Sequence, residues 1–203
     1  GVSDAFIGLI RASHERDRTR GVDYPEVEIR EIWRELLRSA GADSVSEETI
    51  EALALRYETR VNPVWPMPGL QAVIDELKAR HLSLGIISNA QFYTPLLFEH
   101  FLGLPLTGLG FDESLCVWSY GERRGKPSQT LFDISVEKLA NHGLRPEEVL
   151  YVGNDMRNDI VPAASAGMRT ALFAGDARSL RLREHPVDAI PADIVVTDLL
   201  QII

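Results

Sequence analysis

From Leu70 onward the chain alternates short, continuously apolar runs with stretches that carry apolar residues at helical spacing. The runs are Leu82–Ile87, Leu115–Trp118, Val149–Val152, Thr170–Phe173 and Ile194–Val196. Among the helical stretches, Leu70, Val73, Ile74 and Leu77 form one stripe. Others are predicted around Pro95–Phe101, over Ser128–Asn141 with a stop at Gly143, and over Asp159–Ala166. A strand that is apolar at every position, rather than at every second one, is buried on both faces. A sheet of such strands needs helices on both sides, and strand alternating with helix makes the strands parallel. The pattern therefore predicts a doubly wound α/β fold over residues 63–203.

Residues 1–62 have a different texture and read as helices only. Ile29, Ile32, Trp33, Leu36 and Leu37 recur at helical spacing, Asp23 and Glu26 have the spacing of a capping box, and Gly41 supplies a stop. A second helix is predicted after Ser46, with Ile50, Leu53, Tyr57 and Val61 on one face. The apolar opening residues Ala5, Phe6, Ile7, Leu9 and Ile10 also read as helix. Pro63, Pro66 and Pro68, followed by Gly69, end this zone, since proline cannot continue a helix.

Composition narrows the partners. Lys plus Arg number 21 against 30 for Asp plus Glu, a net charge of −9. Phosphate backbones and anionic membrane surfaces are held by surplus positive charge, so neither nucleic acid nor membrane is an expected partner. No apolar run approaches the roughly 18 residues of a membrane span, and no signal-peptide pattern opens the chain. The single cysteine, Cys116, has no intramolecular disulfide partner and suits a reducing, cytoplasmic setting.

In an open parallel sheet, ligands bind beyond the carboxyl ends of the strands, so the residues following each run are the candidates. After Leu82–Ile87 come Ser88 and Asn89, a hydroxyl and an amide that either hold an anion or close a turn. After Val149–Val152 comes Gly153-Asn154-Asp155-Met156-Arg157-Asn158-Asp159. Its two carboxylates converge only if the intervening turn folds them together. They then suit Mg²⁺, which takes a few carboxylates plus waters and substrate oxygens; otherwise they are a turn residue and a helix cap. Lys126, in Gly125-Lys126-Pro127-Ser128, stands at the entry to a helix, where it is either a positioned charge for a phosphoryl group or a solvated lysine. His14, His81, His100, His142 and His185 show no metal-ligand spacing, and Gly108-Leu109-Gly110 lacks the rest of a dinucleotide fingerprint. Arg16, Arg18 and Arg20, interleaved with Glu15 and Asp17, read as a solvated face or the border of an anion site.

Taken in order, these segments resemble the haloacid dehalogenase superfamily of hydrolases. Leu84-Gly85-Ile86-Ile87-Ser88-Asn89 is similar to the family's second motif, Gly125-Lys126-Pro127 to its third, and Tyr151-Val152-Gly153-Asn154-Asp155 through Asp159 to its acidic fourth. Ala166-Gly167-Met168-Arg169-Thr170 and Ala192-Asp193-Ile194-Val195-Val196 match its usual ending. The resemblance implies a Rossmann-like core over 63–203 and an all-helical cap over 1–62. It departs at the first motif: the family's nucleophile is the first Asp of an Asp-x-Asp-x-Thr-like sequence, and none occurs in these 203 residues. The expectation is a nucleophile on a segment before Gly1, because loss of a central strand would leave backbone groups unpaired in the core.

On that expectation the resemblance implies a Mg²⁺-dependent phosphatase acting on a small phosphorylated molecule through an aspartyl-phosphate. Ser88 and Asn89 would hold the phosphoryl group and Lys126 would offset its charge. Asp155, with Asn154 as the competing inner ligand, would bind the metal, and Asp159 would support the metal or orient Lys126. The alternatives are a 2-haloacid dehalogenase, and a binding or scaffolding protein without chemistry, which is how these residues alone would behave.

Overall fold

The structure, a computed structural model, describes residues 1–182 and 191–203; His185 lies outside them. Three helices open the chain: α1 (Val2–Thr19), α2 (Ile29–Ser39) and α3 (Glu47–Val61). The stripe on α2 buries Ile29, Ile32, Trp33 and Leu36. They meet Phe6 of α1 and Ile50 and Ala54 of α3 in a core of their own, closed from outside by Tyr93. Phe6, Trp33 and Tyr57 pack there at tilted to edge-on angles with ring centroids 5.0–5.5 Å apart. These aromatic rings therefore serve packing.

Two expectations for this part are corrected. Val61 is 56% exposed, because the last turn of α3 runs past the end of its packing face. Asp23 does not cap α2; Glu28 does, accepting from Arg30 N. Pro25 disfavours helix at the preceding residue, Tyr24 takes φ 42°, and Asp23 turns to Ser128 Oγ (2.7 Å) and Arg124 Nε (3.2 Å). Ser46 caps α3 as predicted, accepting from Thr49 N. Arg16, Arg18 and Arg20 sit at the end of α1, loosely paired with Asp17 and Glu15 at 3.7–3.9 Å.

The α/β part runs α4 (Leu70–Ala79), β1 (Ile87–Ser88), α5 (Thr94–Leu102), β2 (Val117–Trp118), a single turn α6 (Ser119–Glu122) and α7 (Thr130–Asn141). It continues through β3 (Leu150–Gly153), α8 (Val161–Ser165), β4 (Arg169–Phe173) and β5 (Ile194–Val196). Pairing is parallel throughout, as expected: Ile87 aligns with Val117, Tyr151 with Thr170, and Leu172 with Val195. Leu131 and Phe132 of α7 are fully buried against Val117 of β2, with Ile87 and Tyr151 packed around them.

The sheet departs from expectation in being split. Among the described residues the strands form a pair, β1–β2, and a triplet, β3–β4–β5, without a ladder between them. Burial follows the split. Thr170–Phe173 of β4, flanked on both sides, are buried, whereas Leu150 on β3 is 41% exposed and the run Leu82–Ile87 is nowhere fully buried. That run is regular only at Ile87–Ser88, with a further bridge from Leu84 to Phe111. The carbonyls at the start of β1 and just before it show why the gap is tolerated. Ile86 O accepts Val117 N of β2 at 2.7 Å, while Ile87 O, facing the gap, accepts from side chains instead: Tyr151 OH and Lys126 Nζ, each at 3.2 Å.

The helical part joins the α/β part through residues 23–29. Gly125 N donates to Tyr24 O, Glu26 N to Arg123 O, and Ile29 N to the side chain of Gln91, whose own amide donates to Val27 O. Among the described residues no helix is long and apolar enough to cross a membrane.

Candidate active site

Four loops follow the carboxyl ends of β1, β2, β3 and β4, and residues from three of them and from the approach to α7 line one cavity of about 380 Å³. Ser88, Asn89, Lys126, Asn154, Asp155 and Asp159 all line it, so the structure gathers every candidate that the sequence singled out.

Lys126 and Asp159 form its centre. The ammonium lies 2.5 Å from Asp159 Oδ1, with side-chain exposures of 12% and 6%, which makes this a buried pair. Its three protons have three acceptors: Asp159 Oδ1, Tyr151 OH and Ile87 O. The main chain of Lys126 is fixed separately, as Asn89 Oδ1 accepts its N–H at 2.6 Å and Asn89 Nδ2 donates to its carbonyl at 3.2 Å. Both ends of the Asn89 amide are thus engaged in holding the lysine. Tyr151 has one proton, within 3.2 Å of both Ile87 O and Asp159 Oδ1. Burial, and then the charge of Asp159, push its phenol well above the usual range, so it stays a donor.

Asp159 is brought back onto β3 by a wide turn. Residues Met156–Ile160 form a single π-helical turn instead of the predicted start of an α-helix, and α8 begins only at Val161. Asp155 caps this turn, its Oδ1 accepting from Arg157 N and Asn158 N. Asp159 Oδ2 accepts from Asn154 N and Asp155 N, each at 3.0 Å. Asp159 is thus held at both oxygens, Oδ2 by two backbone N–H groups and Oδ1 by the Lys126 ammonium, with Tyr151 OH also within 3.2 Å of Oδ1. Gly153 makes the return possible, since a Cβ there would collide with Asp159 Cβ and Cγ.

Asn154 donates to Ser179 O at 2.6 Å, which turns its amide oxygen from that contact, and its carbonyl accepts Arg181 N. Among the described residues no three His, Cys, Asp or Glu side chains gather as a metal cluster. The donor set that fits a cation is one carboxylate, Asp155, beside one amide oxygen, Asn154. That is a hard, oxygen-only pair of the kind Mg²⁺ accepts when water and substrate complete its shell. Ser88 lines the cavity with its hydroxyl turned to Asn89 O at 3.4 Å.

Sequence reasoning missed Tyr151 as a site residue, and Asn158, Ser179 and Arg181 on the cavity wall. Ser179 and Arg181 follow β4, and reading the residues after that strand as closely as those after β3 would have found them. Tyr151 lies inside a strand, and an apolar-run pattern counts it as core. Elsewhere, Cys116 is buried and free, its thiol pushed up by burial, and His142 bonds Ser114 Oγ and Asp112 at the end of α7.

A parallel α/β core with its polar side chains collected beyond the strand ends places the chain among Rossmann-like proteins of the haloacid dehalogenase fold. Residues 123–202 match the family described as HAD-hydrolase-like, and the chain belongs to the haloacid dehalogenase superfamily. It is 30% identical over 144 residues to the pyrophosphatase PpaX of Oceanobacillus iheyensis, a match covering 70% of this chain and 60% of that protein. It is also 30% identical over 172 residues to a phosphoserine phosphatase of Thermus thermophilus, covering 84% and 62%. The chain thus spans about three fifths of the length of these curated relatives. A 2-haloacid dehalogenase from Pseudomonas syringae shares the fold, with a TM-score of 0.62 at 20% identity over 98% of this chain and 78% of that one.

Proposed function

We propose that this chain forms the greater part of a Mg²⁺-dependent phosphatase that hydrolyses a small phosphomonoester. The observation that carries the reading is the buried Lys126–Asp159 pair, which fixes one positive charge on a cavity wall beside the Ser88 hydroxyl and the Asp155 carboxylate. A fixed ammonium in a water-poor setting stabilises charge developing on phosphoryl oxygens. The names of the two curated relatives, both enzymes of phosphate esters or anhydrides, support the same reading. A net charge of −9 and a free, buried Cys116 agree with a small substrate and a reducing, cytoplasmic setting.

In this reading Ser88 binds a phosphoryl oxygen and Lys126 offsets its charge. Asp159 and Asn89 hold Lys126 in place, Asp155 and Asn154 hold the cation, and residues 1–62 act as the cap. Mg²⁺, when bound, neutralises charge on the phosphoryl oxygens. The nucleophilic carboxylate comes from outside residues 1–203. It attacks phosphorus, the alcohol leaves, and water cleaves the resulting aspartyl-phosphate. A strand entering between β1 and β3 would take Ile87 O into a ladder, and Lys126 would exchange that contact for a phosphoryl oxygen.

The test is phosphate release from p-nitrophenyl phosphate by the protein expressed with the sequence that its gene encodes upstream of Gly1. Release that needs Mg²⁺ and falls at least a hundredfold in Lys126→Ala and Asp155→Asn supports the reading. Dehalogenation of a 2-haloacid in EDTA, without phosphate release, overturns it. So does an authentic start at Gly1 with no release from any phosphomonoester, which leaves a binding protein.

A further inference from the structure

A second, larger cavity of about 640 Å³ adjoins the first, and Asn89 lines both. It opens between α3, the Pro63–Trp65 segment and α5, and no described role of the Lys126 site uses it. Its walls are apolar and aromatic, with Leu55, Trp65, Tyr93, Leu97 and Phe101 among them. Its charged groups are of one sign: Glu26 and Glu58 line it, and among the described lining residues there is no Lys or Arg. The basic ring there, His100, is exposed and turned edge-on to Phe101 at 4.8 Å.

The two carboxylates differ. Glu26 is spoken for: it accepts from Val27 N, Ser119 Oγ and Gln91 Nε2, and burial raises it. Glu58 is only half-buried; it accepts from Asn62 Nδ2 at 2.8 Å and interacts with the phenol of Tyr93, which burial and then the charge and hydrogen bond of Glu58 push up. Trp65 stands 71% exposed on a segment between Pro63 and Pro66 and lines the cavity. A carboxylate in a cavity also lined by Trp65, Tyr93 and Phe101, with no Lys or Arg among the described lining residues, favours an ammonium group and repels a second anion.

We propose that the larger cavity receives the alcohol half of the substrate and selects one that carries an ammonium group on a short apolar stem. It discriminates against alcohols that bear a carboxylate or a second phosphate. The inference rests on the phosphatase reading in one respect, since it seats the phosphoryl group at Lys126 with the ester oxygen beside Asn89.

The experiment compares binding of phosphocholine and phosphoglycolate by isothermal titration, and separately measures phosphate release from both and from p-nitrophenyl phosphate. Phosphocholine is expected to bind at least about tenfold more tightly, and Glu58→Gln and Trp65→Ala should each cut that ratio to about threefold or less. Both side chains are solvent-accessible, and far-UV circular dichroism checks that the variants keep their helices. Equal binding, tighter binding of phosphoglycolate, or binding of neither overturns the assignment. So does a ratio that survives both substitutions. A preference for phosphocholine without release of phosphate from any ester leaves the cavity's selectivity standing and sinks the hydrolytic reading alone.

Discussion

Asp159→Ala is the substitution that most directly tests whether the site is organised around one buried pair. It leaves the Lys126 ammonium, whose side chain is 12% exposed, without a counter-charge, and strips acceptors from the N–H groups of Asn154 and Asp155. Removing one partner of a buried pair costs about 3–5 kcal/mol, most of it the uncompensated charge. Each orphaned N–H adds about 1 kcal/mol or more if water cannot reach it, but the adjacent cavity of about 380 Å³ admits water and lowers that share. The expected loss is therefore about 3–5 kcal/mol, read as a lower urea midpoint at constant m-value. In a chain of this size that lowers Tm by roughly 6–20 °C. Lys126→Met combined with Asp159→Ala removes the stranded charge, so the double variant should be more stable than Asp159→Ala alone by about 2 kcal/mol. A single-variant loss under about 1 kcal/mol, or strict additivity in the double variant, would refute the pair as the organising contact.

Gly153→Ala forces a methyl group into Asp159 Cβ and Cγ, and overpacking of this kind costs about 1–3 kcal/mol, measured by urea unfolding. It should also weaken binding of inorganic phosphate, because Asp159 can no longer hold Lys126. Tyr151→Phe deletes the hydroxyl that accepts from Lys126 Nζ and donates its one proton toward Ile87 O or Asp159 Oδ1, for a loss of about 1–2 kcal/mol; an unchanged midpoint would show that the hydroxyl contributes nothing. Glu26 is pushed above its ordinary value of 4.5 by burial, against the hydrogen bonds from Val27 and Ser119 and the charge of His14. A raised carboxyl binds its proton more tightly when folded, so its contribution to stability is present below pH 4.5 and is lost as pH rises through the folded value. Glu26→Gln should therefore gain on the wild type as pH rises across that window, and parallel urea midpoints at pH 4 and pH 8 would contradict it.

The parallel pairing and the helical opening were legible in the sequence from local signals, whereas the gathering of Ser88, Lys126, Asp155 and Asp159 was implied by the resemblance of ordered motifs and left open by the residues alone. The first two depend on local signals, namely apolar runs between turn residues and a stripe at helical spacing. What the sequence did not disclose depends on long-range geometry. Asp23 carries the right spacing for a cap, yet its oxygens go to Ser128 and Arg124, more than a hundred positions away. Likewise, no local pattern says that the turn after β3 widens to a π-helical one, which decides where the Asp159 carboxylate ends up.

That widened turn connects the fold to the chemistry. A regular helix starting at Asp155 would set Asp155 and Asp159 one above the other along its axis, four residues apart, as neighbouring ligands on one face. The wider turn instead folds Asp159 back over Gly153, where its oxygens meet the N–H groups of Asn154 and Asp155 and the Lys126 ammonium. The two acids are thereby given unequal surroundings: Asp159 is paired with the Lys126 ammonium and holds two N–H groups of the turn, whereas Asp155 caps that turn through Arg157 N and Asn158 N and lines the cavity wall. Acids held in unequal surroundings take different roles. On the proposed reading, Asp159 holds the lysine and Asp155, which lines the cavity, is the carboxylate that would meet a cation.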